Sequence, residues 1–116
     1  MTDSLDNVSY IDIINVRHIF DLLEKPLRPI LKKDVENIRN LTLYKTIYDY
    51  WNSNDEGVSV ELYKGLSDDS VTTLYFLRHF NREWFGGWSS ADTISWYEIS
   101  EQEFVKVCNY KIITQN

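Results

Sequence analysis

The chain has 116 residues, of which 43% are hydrophobic, 15% aromatic and 26% charged. We expect residues 1–116 to form a single domain, because this length supports one hydrophobic core and the composition is too apolar for a disordered chain. The net charge of -6 argues against a free-standing binder of nucleic acid or of an anionic membrane, since such proteins concentrate positive charge. One cysteine and two histidines are too few for a disulfide framework or a structural zinc site.

The first ten residues contain two acids, no basic flank and no apolar stretch, so they lack the pattern of a secretory signal. No apolar run in the sequence reaches the length of a membrane span. We therefore expect a soluble, cytoplasmic protein that does not bind a membrane.

The first predicted element is a helix from about Tyr10 to Glu24. Ser9 supplies an N-cap hydroxyl, and apolar residues then recur at intervals of three or four. The next segment, Lys25–Ile30, contains two prolines, which remove backbone donors and favour an extended chain. This segment is the predicted linker.

A second helix is predicted from Asp34 to Trp51. Asp34 is a suitable N-cap, and apolar side chains follow at helical spacing without any glycine or proline between them. The turn-forming residues of Asn52–Gly57 should end this helix.

Beyond Gly57 the hydrophobic period changes to two, which is typical of β-strands. Strands are predicted at Val58–Tyr63, Val71–Phe80 and Thr93–Ile99, because these segments are rich in β-branched and aromatic residues. Gly86-Gly87 lies between the last two of them and suits a hairpin turn, a bulge or a loop tip.

The chain ends in a short predicted helix that begins near Glu101, where Ser100 and Glu103 have the spacing of a capping box. Lys111–Thr114 is either a last edge strand or a frayed end. The order of elements predicts an α+β fold. In this fold, N-terminal helices pack on one face of an antiparallel sheet of three to five strands, and a short helix follows at the C-terminus.

The sequence contains little that suggests catalysis. His79, with Arg78 beside it and Glu83 four residues on, could serve phosphodiester chemistry, so a small enzyme that uses His79 is one alternative. A strand histidine beside aromatic residues is more often a sheet-surface residue. Gly86-Gly87 lacks the context of a phosphate-binding loop, and the acidic pairs in turns lack calcium-loop spacing. We expect no enzyme, no cofactor and no metal.

The candidate binding surface is the stretch Glu83–Val105, which holds five carboxylates and three of the four tryptophans but no lysine or arginine. Exposed rings beside carboxylates suit the hot spots of a protein interface, and the negative charge would attract a cationic partner. The alternative is that Trp84, Trp88 and Trp96 are core residues of the sheet. The residues predicted to bind a partner are Glu83, Trp84, Phe85, Trp88, Asp92, Glu98 and Glu101.

Five positive side chains collect between Lys25 and Arg39. No aromatic residue is interleaved with them, so we interpret this segment as a solvated surface and expect no direct binding of nucleic acid.

The segment Ile94–Phe104, in an acidic chain rich in tryptophan and tyrosine, resembles the small immunity proteins that bacteria pair with polymorphic or contact-dependent growth-inhibition toxins. The resemblance implies that the protein binds a cognate toxin domain and blocks its active site without catalysis. Nuclease toxins are typically basic because they approach a polyanion, so an acidic inhibitor suits them. We expect a monomer with a basic protein partner. The alternative is a phage or plasmid protein that mimics nucleic acid or inhibits a host nuclease.

Overall fold

The computed structural model describes residues 13–84 and 90–114, and it describes Trp84 by its backbone only. The described residues form an α+β fold with a five-stranded antiparallel sheet, in agreement with the predicted class and strand number. Helix α1 covers 13–21 in the described part of the chain. The other elements are β1 (Pro29–Ile30), α2 (Lys32–Val35), β2 (Arg39–Trp51), β3 (Gly57–Leu66), β4 (Thr73–Trp84), β5 (Ser90–Ile99) and α3 (Glu101–Cys108).

The strands lie in the order β1-β5-β4-β3-β2, and every neighbouring pair is antiparallel. Strands β3 and β5 contain the predicted strands Val58–Tyr63 and Thr93–Ile99 with wider bounds, whereas β4 begins two residues later than the predicted Val71–Phe80 and ends four residues later. Strand β3 continues to Leu66, and in the turn that follows the Ser67 backbone N–H donates to the Thr72 carbonyl. Gly86-Gly87, predicted as a hairpin turn, a bulge or a loop tip, lies outside the described residues.

The second predicted helix is wrong, because Arg39–Trp51 forms the edge strand β2. The register of β2 against β3 shifts at three places, and each shift inserts one extra residue into β2. Thr42, Lys45 and Tyr48 therefore share one face and pair with alternate residues of β3. The apolar residues whose spacing predicted a helix do not share a face of β2, since Tyr48 is paired with Val60 on one face and Trp51 with Gly57 on the other.

The predicted capping box of α3 is confirmed. The Ser100 side chain accepts a hydrogen bond from the Glu103 backbone N–H at 3.1 Å, and the Glu103 carboxylate accepts one from the Ser100 backbone at 2.7 Å. The tail at Lys111–Thr114 forms no strand. Its Ile113 is bound instead by the buried side chain of Asn15, which accepts from the Ile113 backbone N–H and donates to its carbonyl.

Most of the hydrophobic core lies on one side of the sheet, which we call the core face. Phe76, which is 1% exposed, is buried on the opposite side. On the core face, side chains of α1 and of the loop that follows it pack against side chains of α3 and of the inner strands. The Phe20 ring of α1 packs edge-on against His79 of β4 and Tyr97 of β5, with ring centroids 5.5 and 5.4 Å apart. The fully buried core includes Ile19, Leu23, Val60, Leu62, Leu77, Phe104 and Val107.

Candidate functional site

The opposite side of the sheet carries an unusual set of side chains, which we call the arginine face. Successive side chains of a strand point to opposite faces, and residues paired directly across strands share a face. Arg78 of β4 is paired with Glu61 on one side and Trp96 on the other, and Arg82 is paired with Asp92. The strand residues on this face include Leu43, Thr46, Asp49, Trp51, Gly57, Ser59, Glu61, Tyr63, Phe76, Arg78, Phe80, Arg82, Asp92, Ile94, Trp96 and Glu98.

Rings and guanidiniums alternate in a row across this face. The Arg82 guanidinium lies 5.6 Å from the Trp51 ring centroid and 5.7 Å from that of Phe80. The Arg78 guanidinium lies 5.3 Å from the Phe80 centroid and 5.9 Å from that of Trp96. All four distances are within the range of cation–π attraction, so each arginine is held between two aromatic residues.

Carboxylates bind both arginines from the side. Arg78 Nη1 lies 2.9 Å from Glu61 Oε1. Arg82 forms a bidentate pair with Asp92, with bonds of 2.8 and 3.2 Å, and its Nη1 lies 2.8 Å from Asp55 Oδ2. The hydrogen bond from Arg82 holds the pKa of Asp92 below its ordinary value. Because Asp55 is 66% exposed, these pairs orient side chains more than they stabilise the fold.

The row begins at Trp51, which lies over Gly57. A Cβ atom at Gly57 would come within 2.2 Å of the Tyr50 carbonyl oxygen and 2.6 Å of Trp51 Cδ2, so only glycine fits there. The Trp51 indole N–H donates to Asp49 Oδ1 at 2.7 Å, which fixes the ring's orientation. Asp55, in the turn that follows, has φ of 62° and reaches Arg82 from there.

At the other end of the row, the Tyr63 and Trp96 rings pack edge to face with centroids 4.8 Å apart. The Tyr63 hydroxyl donates to Glu61 Oε1 at 3.3 Å. Burial raises the pKa of Tyr63, and Glu61 raises it further, so this hydroxyl stays a donor. Beyond these rings the Ile38 side chain lies directly over Gly65. A Cβ atom at Gly65 would come within 2.5 Å of the Ile38 side chain.

Large apolar side chains lie open beside the row. Ile94 of β5 is 49% exposed and Leu43 of β2 is 46% exposed. Ile94 is paired with Phe80, and Leu43 with Tyr63, so both adjoin aromatic residues of the arginine face. The face therefore combines accessible apolar area with oriented charges.

The structure places the predicted carboxylates in different regions. Asp92 and Glu98 lie on the arginine face together with Trp96, which is partly exposed there. Glu83 is paired with Ala91 and lies on the core face.

The other predicted contacts lie apart from these or are not described. Glu101 is in the first turn of α3 beside Tyr75, whose pKa is raised by burial and by this carboxylate. Trp84 is the last residue of β4. Phe85 and Trp88 lie outside the described residues.

The predicted binding surface contains neither arginine, because it was limited to Glu83–Val105; Arg78 was considered only beside His79. Asp92 belongs to that stretch, but its partner Arg82 comes from the preceding strand. The useful signal was the alternation Arg78, Phe80, Arg82, which places three residues on one face of a predicted strand.

The alternative site around His79 is not assembled in the structure. His79 lies on the core face against Phe20, where burial lowers its pKa, whereas Arg78 points to the arginine face. Glu83 lies four residues along the strand, a separation of about 13 Å. In residues 13–84 and 90–114, no group of three or more His, Cys, Asp or Glu side chains has a geometry that could hold a metal ion.

Several side chains of the basic segment bind within the chain. Lys25 Nζ donates to the Phe20 carbonyl at 2.8 Å, near the end of α1. Arg28 pairs with Glu103 at 2.8 Å, and Arg39 donates to the Ser70 hydroxyl. These three basic side chains therefore bind groups elsewhere in the chain and help to position the loops that carry them.

Comparison of the chain with protein-family models, with curated proteins and with solved structures gives no match. Among the described helices, none has the length and apolar character needed to cross a membrane.

Proposed function

We propose that this chain is a non-catalytic immunity protein that binds a cognate, basic toxin domain through the arginine face and blocks the toxin's active site. The observation that carries the proposal is the ring–guanidinium row, flanked by exposed Ile94 and Leu43. Aromatic residues and arginines held in fixed positions are the side chains that dominate binding energy at protein interfaces.

The charge of the face favours a cationic partner. The arginine face carries two guanidiniums and five carboxylates, and its described strand residues include no lysine. The surplus of negative charge would speed encounter with a basic protein and set the docking orientation. The five carboxylates are those of Asp49, Asp55, Glu61, Asp92 and Glu98.

We also infer that α1 and α3 pack on the core face as a covering layer, which leaves the arginine face for the partner. Phe20 of α1 and Phe104 of α3 both have ring contacts with residues of that core face. An antiparallel sheet commonly has one face packed on a core and one face free. Of the predicted contacts, Asp92 and Glu98 belong to the arginine face. Contacts of Trp84, Phe85 and Trp88 with the partner stay predictions.

The test takes the C-terminal domain encoded by the adjacent reading frame as the candidate toxin, and it measures binding by titration calorimetry and by rescue of growth. Ile94→Asp should lower the affinity at least about tenfold, because it places a desolvated charge in the interface. Thr93→Asp is the matched control, since Thr93 is exposed on the other face of the same strand.

Equal affinity of the two variants would exclude the arginine face as the binding site. Binding to many unrelated basic proteins with similar affinity would instead favour the alternative of a nucleic-acid mimic.

A further inference from the structure

The two internal arginines define a repeating unit on the arginine face. In each unit a guanidinium lies against aromatic rings while a carboxylate binds it from the side. Arg82 has Phe80 and Asp92 in these roles, and Arg78 has Phe80 and Glu61. Both units therefore hold the same planar cation between a ring and a carboxylate.

A third unit lacks its guanidinium. Trp96 closes the row, with Arg78 against its ring at 5.9 Å. Glu98 follows two residues later on the same face of β5, about 7 Å along the strand. Glu98 is exposed, and within the described part of the chain its side chain has no ion pair or hydrogen bond. A partly exposed ring and an unpaired carboxylate therefore lie side by side.

We propose that Trp96 and Glu98 bind the guanidinium of an arginine side chain supplied by the partner. The inference rests on the proposed function, and it specifies the chemistry by which that face recognises a basic protein. The guanidinium would lie against the indole and donate to the Glu98 carboxylate, as Arg82 lies against Phe80 and donates to Asp92. Arginine fits better than lysine, because a planar cation can stack on a ring and bond to a carboxylate at once.

The experiment titrates the ¹⁵N-labelled full chain with the capped peptide acetyl-Gly-Arg-Gly-amide. The Trp96 indole N–H and the Glu98 backbone N–H report the binding in heteronuclear NMR spectra. Both signals should shift saturably. The corresponding lysine peptide should bind more weakly, and the citrulline peptide, which has the same shape without the charge, should cause no shift.

The matched variants are Glu98→Gln and Glu83→Gln. Both remove one negative charge from an exposed strand residue, but Glu83 lies on the core face. Glu98→Gln should weaken binding of the arginine peptide by about fivefold, the change expected of one exposed charge pair, and Glu83→Gln should leave it unchanged.

Four results would overturn the inference: no shift with the arginine peptide, unchanged binding in Glu98→Gln, equal loss in both variants, or equal affinity for the arginine and lysine peptides. Equal loss in both variants would mean diffuse attraction by net charge. The peptide titration uses no toxin domain, so its outcome is independent of the proposed function. If the toxin domain binds and Ile94→Asp abolishes that binding while the peptide causes no shift, this inference alone fails.

Discussion

Replacing Glu103 with glutamine tests the carboxylate that joins three segments of the chain. Glu103 is only 2% exposed. Its Oε2 accepts a hydrogen bond from the Glu24 backbone N–H at 2.7 Å, and its Oε1 accepts from the Ser100 backbone N–H at 2.7 Å and from Arg28 at 2.8 Å. The carboxylate thus holds the loop after α1 against the start of α3.

Glutamine keeps the shape of Glu103 but has only one acceptor oxygen. If that oxygen still faces Ser100, the amide NH₂ opposes the Glu24 N–H, and a partly buried donor loses its partner. An unsatisfied donor together with weaker remaining bonds should lower the free energy of unfolding by about 2 to 3 kcal/mol. The ion pair with Arg28 adds little to this sum, because the Arg28 side chain is 47% exposed.

The same contacts predict how the effect depends on pH. Burial acts to raise the pKa of Glu103, but hydrogen bonds from the Ser100 and Glu24 backbones and from Arg28 hold it below its ordinary value. A depressed pKa contributes stability that is present above the unfolded pKa of about 4.3 and is lost as pH falls through the folded pKa. The difference between wild type and variant should therefore shrink at pH 3.

Urea unfolding followed by circular dichroism at pH 7 and pH 3 measures both effects. Glu101→Gln is the control, because it removes the same charge from the same helical turn at an exposed position. A loss below about 1 kcal/mol in Glu103→Gln, or a loss equal to that of Glu101→Gln, would refute the assigned role.

Three further substitutions test the fold. Asn15→Ala should lower the free energy of unfolding by about 2 kcal/mol in urea titrations, because the Ile113 backbone loses a buried partner. Gly57→Ala should destabilise by about 1 to 3 kcal/mol in the same assay, because its Cβ would overlap the Tyr50 carbonyl oxygen. The depressed pKa of His79 means that wild-type stability should decline as pH falls below about 6.5, and His79→Leu should lack that part of the decline in urea midpoints.

Each of these predictions has a clear contrary result. Wild-type stability in Asn15→Ala would mean that the tail does not depend on this amide. An unchanged midpoint in Gly57→Ala would contradict the close approach of the Trp51 ring. Parallel pH profiles from pH 8 to pH 5 would show that His79 titrates alike in the folded and unfolded chain.

The strands and the capping box of α3 were predictable because their patterns are local. The alternation in Val58–Tyr63 reflects the two faces of a strand, and the spacing of Ser100 and Glu103 reflects the two hydrogen bonds of a capping box. Strand β2 was not predictable from periodicity, since its bulges are set by pairing with β3. Composition carried the missing signal, because seven of the thirteen residues in Arg39–Trp51 are β-branched or aromatic.

The candidate site was predictable only in part. The sequence pointed to Asp92 and Glu98, but it grouped them with Glu83, which the strand pleat turns to the other face. The pairing of Asp92 with Arg82 and the approach of Arg78 to the Trp96 ring depend on the register of β4 against β5, which no local pattern encodes.

The most direct test of the proposed interface is NMR mapping of the ¹⁵N-labelled chain in complex with the toxin domain that we propose as its partner. We predict that the largest shifts and the strongest protection from hydrogen exchange fall on Tyr63, Ile94 and Trp96. Changes confined to α1 and α3, with those three residues unaffected, would contradict the account.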